Sequence, residues 1–408
     1  MGNPTWNDVM KFELKKDSVI FDVGGYMGDF AQICIDRYEN PKIYIFEPVL
    51  SFYEKIVHRY KNNENIKVYN FGLSDITRDE YISTNGDASS IYSQNDRTEK
   101  IKLKSIKEFL FEEQIFQVDL IKINIEGEEY RLLEYLSSIP ELNVFENYLV
   151  QFHGFVDGYV EKRNSILEKV SVYYDTIFNY EFIFEGWTQK KIQKINCFGD
   201  SHISIFSNKE SLFNMNELIV YDSYHTYRFG PYLAYNLINK PNVYEIINNV
   251  SYDENILICF GEIDCRAQVK KNMDEQNKDY IELIDEIIDR YFQFIDNLYN
   301  KNIILFSVTP ELKEEPFIFY YRENPEAFDK PRGTYSERRK FKEYFNQRVK
   351  EECSKKGYKF LSIYDYLVDG DTTKEIYYVD DIHLKPKNVL YLINREMIKN
   401  NLIESPFK

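Results

Sequence analysis

The chain reads as an α/β protein built from two doubly wound domains in succession. Three observations predict this. Apolar strand-like runs alternate with amphipathic stretches through the first half, a polar and basic segment interrupts them at Thr188–Lys194, and the alternation then restarts with "INCFGDSHISIF" at Ile195. Short β runs separated by helical patterns of roughly 10–15 residues argue for parallel sheets with helices on both faces.

In the first half the runs are "SVIFDVG", "DFAQICIDRY", "KIYIFEP", "LSFYEKIVHRY", "IKVYNFGL", "VDLIKINIEG", "EYRLLEYLSSI" and "NYLVQFHGF", closed by the extended pair "YYDTIFNYEFIFEGW". The second half continues with "INCFG", "ELIVYDS", a helix opening at Gly230 and the strand "ENILICFG". A long helix over about Asp279–Tyr299, "IILFSVTP", a helix near Ser336–Lys356 and "KFLSIYDYL" follow. Domain limits of 1–190 and 191–408 follow from the polar join. No repeat or low-complexity tract is present.

With 408 residues, 43% hydrophobic and 29% charged, the chain is long enough for two independent cores. A net charge of −16, with no Lys/Arg block, argues against nucleic acid as a partner. Five scattered cysteines without metal-ligand spacing fit a reducing compartment. No window approaches a membrane span and no apolar leader opens the chain, so a cytoplasmic, non-spanning protein is expected. Oligomeric state and any metal stay open.

The first strand ends in Asp22-Val23-Gly24-Gly25-Tyr26-Met27-Gly28. In an open α/β sheet ligands sit beyond the carboxyl ends of the strands, at the point where strand order reverses. Glycines there let the backbone approach a ligand. The next strand ends in Phe46-Glu47-Pro48, an acid about 20 residues on, suited to two ribose hydroxyls. Late in the half, Glu126 and Glu128 in "KINIEGE" either supply a base or cap the following helix, and His153 in "VQFHGF" is either structural or catalytic.

These motifs, with "NFGLSD" and "SIKEFL", resemble the FkbM family of S-adenosylmethionine-dependent methyltransferases over about Ser18–Trp187. The resemblance implies a Rossmann-like methyltransferase fold. Asp22, Gly24, Gly25 and Gly28 would line the methionine and ribose portion of S-adenosylmethionine, Glu47 would hold the ribose, and Asp75 would lie near the adenine. The "KINIEGE" strand would face the acceptor; family members mostly O-methylate sugars and natural products, so the resemblance implies a glycan hydroxyl. Asn124 stands where the family has Asp.

In the second half, Ser201 follows a strand in a tight turn, and Asp380 and His383 stand three apart in "YVDDIHLKP". A serine nucleophile needs a base, and the base an orienting acid. Gly199-Asp200-Ser201, Gly230, Gly261 and Asp380/His383, in that order, resemble the four blocks of the SGNH (GDSL-type) hydrolase family from Ile195 onward. That resemblance implies a flavodoxin-like hydrolase domain, with Gly230 as an oxyanion donor. Ile263 stands where the family has a donor Asn, and Arg266 is the nearby cation. Losing one donor costs ~10²–10³ in rate if nothing replaces it.

His202 is expected to point away from Ser201 and shape the pocket, His225 to line a sugar site or be structural, and His58 to face solvent. The helix "SERRKFKEYFNQRVKEECSKKG" reads as a solvated face. The expectation is a bifunctional glycan-tailoring enzyme acting on a carbohydrate, nucleotide-sugar or surface polysaccharide. It joins an O-methyltransferase to a Ser-His-Asp esterase or O-acyltransferase. The alternative is a methyltransferase with an inactive SGNH-like binding or assembly module.

Overall fold

The computed structural model describes residues 4–83, 98–209, 214–300, 302–313 and 327–404. The chain divides into two compact units, Met1–Lys191 and Ile192–Lys408. The connection is shorter than the polar stretch suggests, because Thr188 and Gln189 still belong to the last strand of the first unit.

The first unit's strands are β1 (Val19–Val23), β2 (Lys42–Phe46), β3 (Ile66–Tyr69), β4 (Gly72–Ser74), β5 (Arg78–Ser83), β6 (Thr98–Ser105), β7 (Leu120–Ile123), β8 (Asn147–Val150), β9 (Tyr174–Tyr180) and β10 (Phe184–Gln189). Among the described residues a seven-stranded sheet runs β3-β2-β1-β7-β8-β10-β9. The first five are mutually parallel, whereas β10 is antiparallel to both β8 and β9. Strand order reverses between β1 and β7, and the candidate residues gather at that reversal. Both β7 and β8 are buried along their whole length, which is why they read as unbroken apolar runs rather than alternating ones.

The run "IKVYNFGL" is two strands in different sheets. Asn70 ends the first, its Nδ2 donating to the carbonyls of Glu47 (3.1 Å) and Pro48 (3.0 Å), so the chain leaves the main sheet. β4 then joins the small ladder β4-β6-β5.

The second unit contains β11 (Ile195–Gly199), β12 (Leu218–Tyr221), β13 (Tyr224–Arg228), β14 (Asn255–Cys259), β15 (Ile303–Phe306) and β16 (Lys359–Leu361), ordered β12-β13-β11-β14-β15-β16. β13, β11, β14, β15 and β16 are parallel, giving a 2-1-3-4-5 order by position in the chain, and β12 is an antiparallel edge. "ELIVYDS" is therefore the edge partner, and the interior strand is the following "YHTYR". The helix expected at Gly230 opens later, as a 3-10 turn over Ala234–Asn239 leading into α1 (Pro241–Asn248).

Helices α2 (Tyr280–Asp296) and α3 (Tyr335–Lys356) cover this sheet. α3 differs from its solvated reading. Phe341, Phe345, Val349 and Cys353 recur at four-residue spacing and are buried, and Arg338 and Lys342 go in with them. Gly261 (φ +115°) lets α3 seat: a Cβ there would lie 2.3 Å from the Phe345 ring.

No helix among the described residues is long and apolar enough to cross a membrane. All five cysteines are buried and free.

Candidate functional site

The first cluster sits at the carboxyl ends of β1, β2, β7 and β8. Gly24 (φ +87°) follows β1, and a Cβ there would stand 2.0 Å from the Asn124 carbonyl oxygen, so only glycine lets these two strand ends meet. Gly25 packs against Ile45, and the Gly28 carbonyl accepts from the Tyr60 hydroxyl at 2.6 Å. Asp22 is fully buried and accepts from Lys122 Nζ at 2.9 Å through Oδ1. Burial pushes its carboxyl up, against the pull of Lys122. Asp22 Oδ2 and Asn124 Oδ1 are buried with no hydrogen-bond partner among the described residues. Glu47, one strand over, accepts the Tyr26 N–H at 2.7 Å and the Val49 N–H at 2.9 Å. Burial raises its pKa to about 7 despite those two donors.

Beside this edge a histidine bridges two acids. His153 Nε2 lies 3.1 Å from Glu126 and Nδ1 lies 3.0 Å from Glu129. Glu129 is buried and fixed further by the N–H groups of Gly127 (2.7 Å) and His153 (2.9 Å). Burial alone would lower the imidazole, but the Glu126 and Glu129 bonds reverse it and hold its pKa at about 9. The raised pKa favours the protonated ring between the two carboxylates.

Glu126 and Glu128 do not gather at one place. Glu128 turns to the small ladder, where Oε1 meets Ser74 Oγ at 2.5 Å and Arg78 Nη2 at 2.6 Å. Sequence reasoning missed Glu129, the second carboxylate on His153. The left-handed backbone at Glu126 (φ +52°) and Gly127 (φ +108°) swings its side chain away from Glu128. Asp75 is held by Arg78 (3.0 Å) and Arg131 (2.9 Å). Burial there is overcome by Arg131 and Ser74, so its carboxyl stays below the usual range.

In the second unit, residues from both ends of the fold converge beyond β11. His383 Nε2 lies 2.8 Å from Ser201 Oγ, and His383 Nδ1 lies 2.7 Å from Asp380 Oδ2. Asp380 Oδ1 accepts the N–H groups of Ile382 (2.9 Å) and His383 (2.7 Å), which fixes the loop. Burial would raise the Asp380 carboxyl, but the His383 bond brings it to about 2. Burial lowers His383, with the Asp380 bond opposing and neighbouring His202 lowering it further. A neutral imidazole between a fixed carboxylate and a serine hydroxyl is the arrangement that general-base activation requires.

Around this triad the expectations divide. Gly230 follows β13 on the same edge, its carbonyl accepting from the Tyr232 N–H at 2.7 Å. The nearest atoms to a Cβ at Gly230 would be on Tyr232 at 3.4 Å and Met215 at 3.5 Å. Ile263 is buried. Arg266 is paired with Glu262: its Nε bonds Glu262 (2.9 and 3.0 Å) and Nη1 bonds the Asp329 carbonyl. Asp264 is buried and caps the 3-10 turn, accepting the Ala234 N–H at 2.8 Å, and burial raises its pKa to about 7. His225 sits near the start of β13, beside Lys194 and Glu254, at the sheet edge opposite Ser201. His58 is exposed on its helix.

His202 does not simply point away. Its ring stacks on His383 (centroids 4.8 Å apart, planes at 27°), and its Nε2 lies 3.2 Å from Glu262. Behind it a buried charge network was missed altogether. Glu262 pairs with Arg266 and Lys342 (3.1 Å), and Glu311 pairs with Lys342 (3.0 Å) and Arg338. Burial would raise Glu262, but Arg266 and Lys342 keep it well below its usual range. The apolar spacing in α3 was the signal that its cations turn inward.

Both units are thus α/β domains whose polar side chains collect at the strand order's reversal. A family model described as the methyltransferase FkbM domain matches residues 22–167, less than half of the chain. No curated protein matches. Among solved structures the chain is similar to a methyltransferase FkbM from Methylobacillus flagellatus KT (15% identity, TM-score 0.32), covering 45% of this chain and 46% of that one. The chain thus spans just under half the length of that protein. It is also similar to a gut microbial diltiazem-metabolizing enzyme (12%, TM-score 0.33, 51% of this chain and 47% of that one). A third is a carbohydrate acetylesterase from Sinorhizobium meliloti (12%, TM-score 0.30, 51% and 98%).

Proposed function

We propose that the first unit is an S-adenosylmethionine-dependent O-methyltransferase acting on a sugar hydroxyl of a glycan or its nucleotide-sugar precursor. The second, in this reading, is a flavodoxin-like SGNH domain with esterase or O-acyltransferase activity. A cytoplasmic protein with a carbohydrate partner is part of the same proposal.

The family match over residues 22–167 supports the first half, and the described residues suit the cofactor. The partnerless Asp22 Oδ2 and Asn124 Oδ1 are acceptors for an ammonium group, and the buried Glu47 carboxylate suits a pair of hydroxyl donors. When bound, the cofactor supplies an electrophilic methyl with a good leaving group. The chain's share is then alignment and proton removal. Glu126 is the group to take the acceptor's proton, and His153, held as imidazolium between Glu126 and buried Glu129, orients it.

The Ser201–His383–Asp380 hydrogen-bond chain carries the second half. Ser201 Oγ would attack an ester carbonyl carbon while its proton passes to His383 Nε2. The leaving alcohol takes that proton as the acyl–oxygen bond breaks. Water or a sugar hydroxyl then accepts the acyl group by the reverse path. A fluorophosphonate probe tests this: it should label Ser201 in the wild-type chain and nothing in Ser201→Ala.

The buried Ile263 and the committed Arg266 favour the second reading, an inactive binding module. Absence of labelling in the folded protein would decide for it.

A further inference from the structure

We propose that His202 is a positioning residue for His383, a ring platform braced by Glu262 that holds the catalytic imidazole facing Ser201. This rests on reading Ser201 as the nucleophile. It also gives the third sequence block a role at the site through Glu262, one residue before the position where Ile263 replaces the expected donor.

Three contacts fix His202. Its backbone N–H donates to Asp200 Oδ1 at 2.9 Å, its Nε2 lies 3.2 Å from Glu262 Oε2, and its face lies against His383 at 4.8 Å. It is buried, so no solvent competes for these contacts. Glu262 cannot swing away, because Arg266 holds it from its own segment and Lys342 from α3. His383 is tied through Nδ1 and its N–H to Asp380 and through Nε2 to Ser201, a line of in-plane contacts that leaves the ring free to turn about that axis. A flat neighbour across the ring face removes that freedom. Near-attack geometry is sensitive at this level, since a displacement of about 1 Å can cost 10²-fold in rate.

The platform also has an electrostatic side. The titratable groups around His202 are Asp200 on its own turn, Cys259 at the end of β14, Glu262 with Arg266 and Lys342 behind it, and Asp380 and His383 on the opposing loop. Two stacked imidazoles repel when both are charged, so His202 disfavours protonation of His383.

The test compares His202→Ala with His202→Phe. Phenylalanine keeps the flat face and loses the close approach to Glu262. The Ser201 labelling rate should fall about 10-fold or more in His202→Ala, as a loss of alignment predicts. His202→Phe should recover to within about 3-fold of wild type at its plateau, with the pH midpoint moved upward. Alongside, the titration midpoint of the His383 ring, followed by nitrogen-15 NMR, should rise in His202→Phe. That readout needs no reaction at Ser201. An unlabelled wild-type chain therefore overturns the nucleophile reading, while the His383 midpoint still decides the role of His202. Wild-type labelling in a folded His202→Ala, or an unchanged His383 midpoint in His202→Phe, would overturn the proposal. If His202→Ala does not fold, the Phe variant decides alone.

Discussion

His383 Nε2 reaches Ser201 Oγ at 2.8 Å across 182 residues of sequence. One side chain leaves the first strand of its unit and the other the last loop before the C-terminal helix, so the contact exists only when the whole sheet has formed.

From that contact follows a unit response. Ser201→Ala and His383→Ala should each abolish fluorophosphonate labelling and aryl-ester turnover, and the double variant should be no worse than either. Asp380→Ala should cost less, because Asp380 orients the ring without bonding substrate. Because burial lowers His383, the rate should rise with pH through a midpoint below the ordinary imidazole value of about 6.5 and be flat by neutrality. A midpoint above that value would contradict the assignment of His383 as base.

Glu47 makes the first unit pH-dependent in the opposite sense. Its folded pKa of about 7 lies above the ordinary 4.5, so its contribution to stability is complete below 4.5 and is lost as pH rises through 7. Hydroxyl donors favour the ionised form, so affinity for S-adenosylmethionine should be higher at pH 8 than at pH 6 by titration calorimetry. Glu47→Gln should flatten that dependence, and Glu47→Ala should weaken binding by ~1–3 kcal/mol. Equal affinity in Glu47→Ala would remove the ribose assignment.

His153 gives a measurement independent of any substrate. Its NMR titration midpoint should lie near 9, and Glu126→Gln should lower it. Its raised pKa adds stability that is full below about 6.5 and disappears as pH rises through 9. A midpoint at the ordinary imidazole value would break the Glu126–His153–Glu129 bridge.

Residues 1–191 expressed alone should remain soluble and bind S-adenosylmethionine, since that unit carries its own complete sheet. Aggregation of the fragment, or loss of binding, would show that it depends on the remainder of the chain.

What could be read in the sequence followed from what burial imposes. β7 and β8 are buried on both faces and announce themselves as apolar runs, and Ser201, His383 and Asp380 sit in turns whose residue types are hard to mistake. Elsewhere the local pattern was silent about direction. "YHTYR" carries polar residues at an interior strand because β12 covers it from the edge, so periodicity pointed to its partner instead. The left-handed backbone at Glu126 exchanged one carboxylate neighbour for another, and no spacing rule encodes that. Lys342 looked solvated because charge was read before the apolar repeat, with Phe341 next to it and Phe345 three positions on.

Gly261 offers no functional group, yet it gauges how deeply α3 sits. A methyl group at that point would press on the Phe345 ring and lift the helix turn that also carries Lys342. Lys342 grips Glu262, and Glu262 braces His202. An alanine scan scored by Ser201 labelling should therefore return Gly261 alongside His383, as if it were part of the chemistry. Along this route the tolerance of the protein to drift is set by the absence of a single carbon atom.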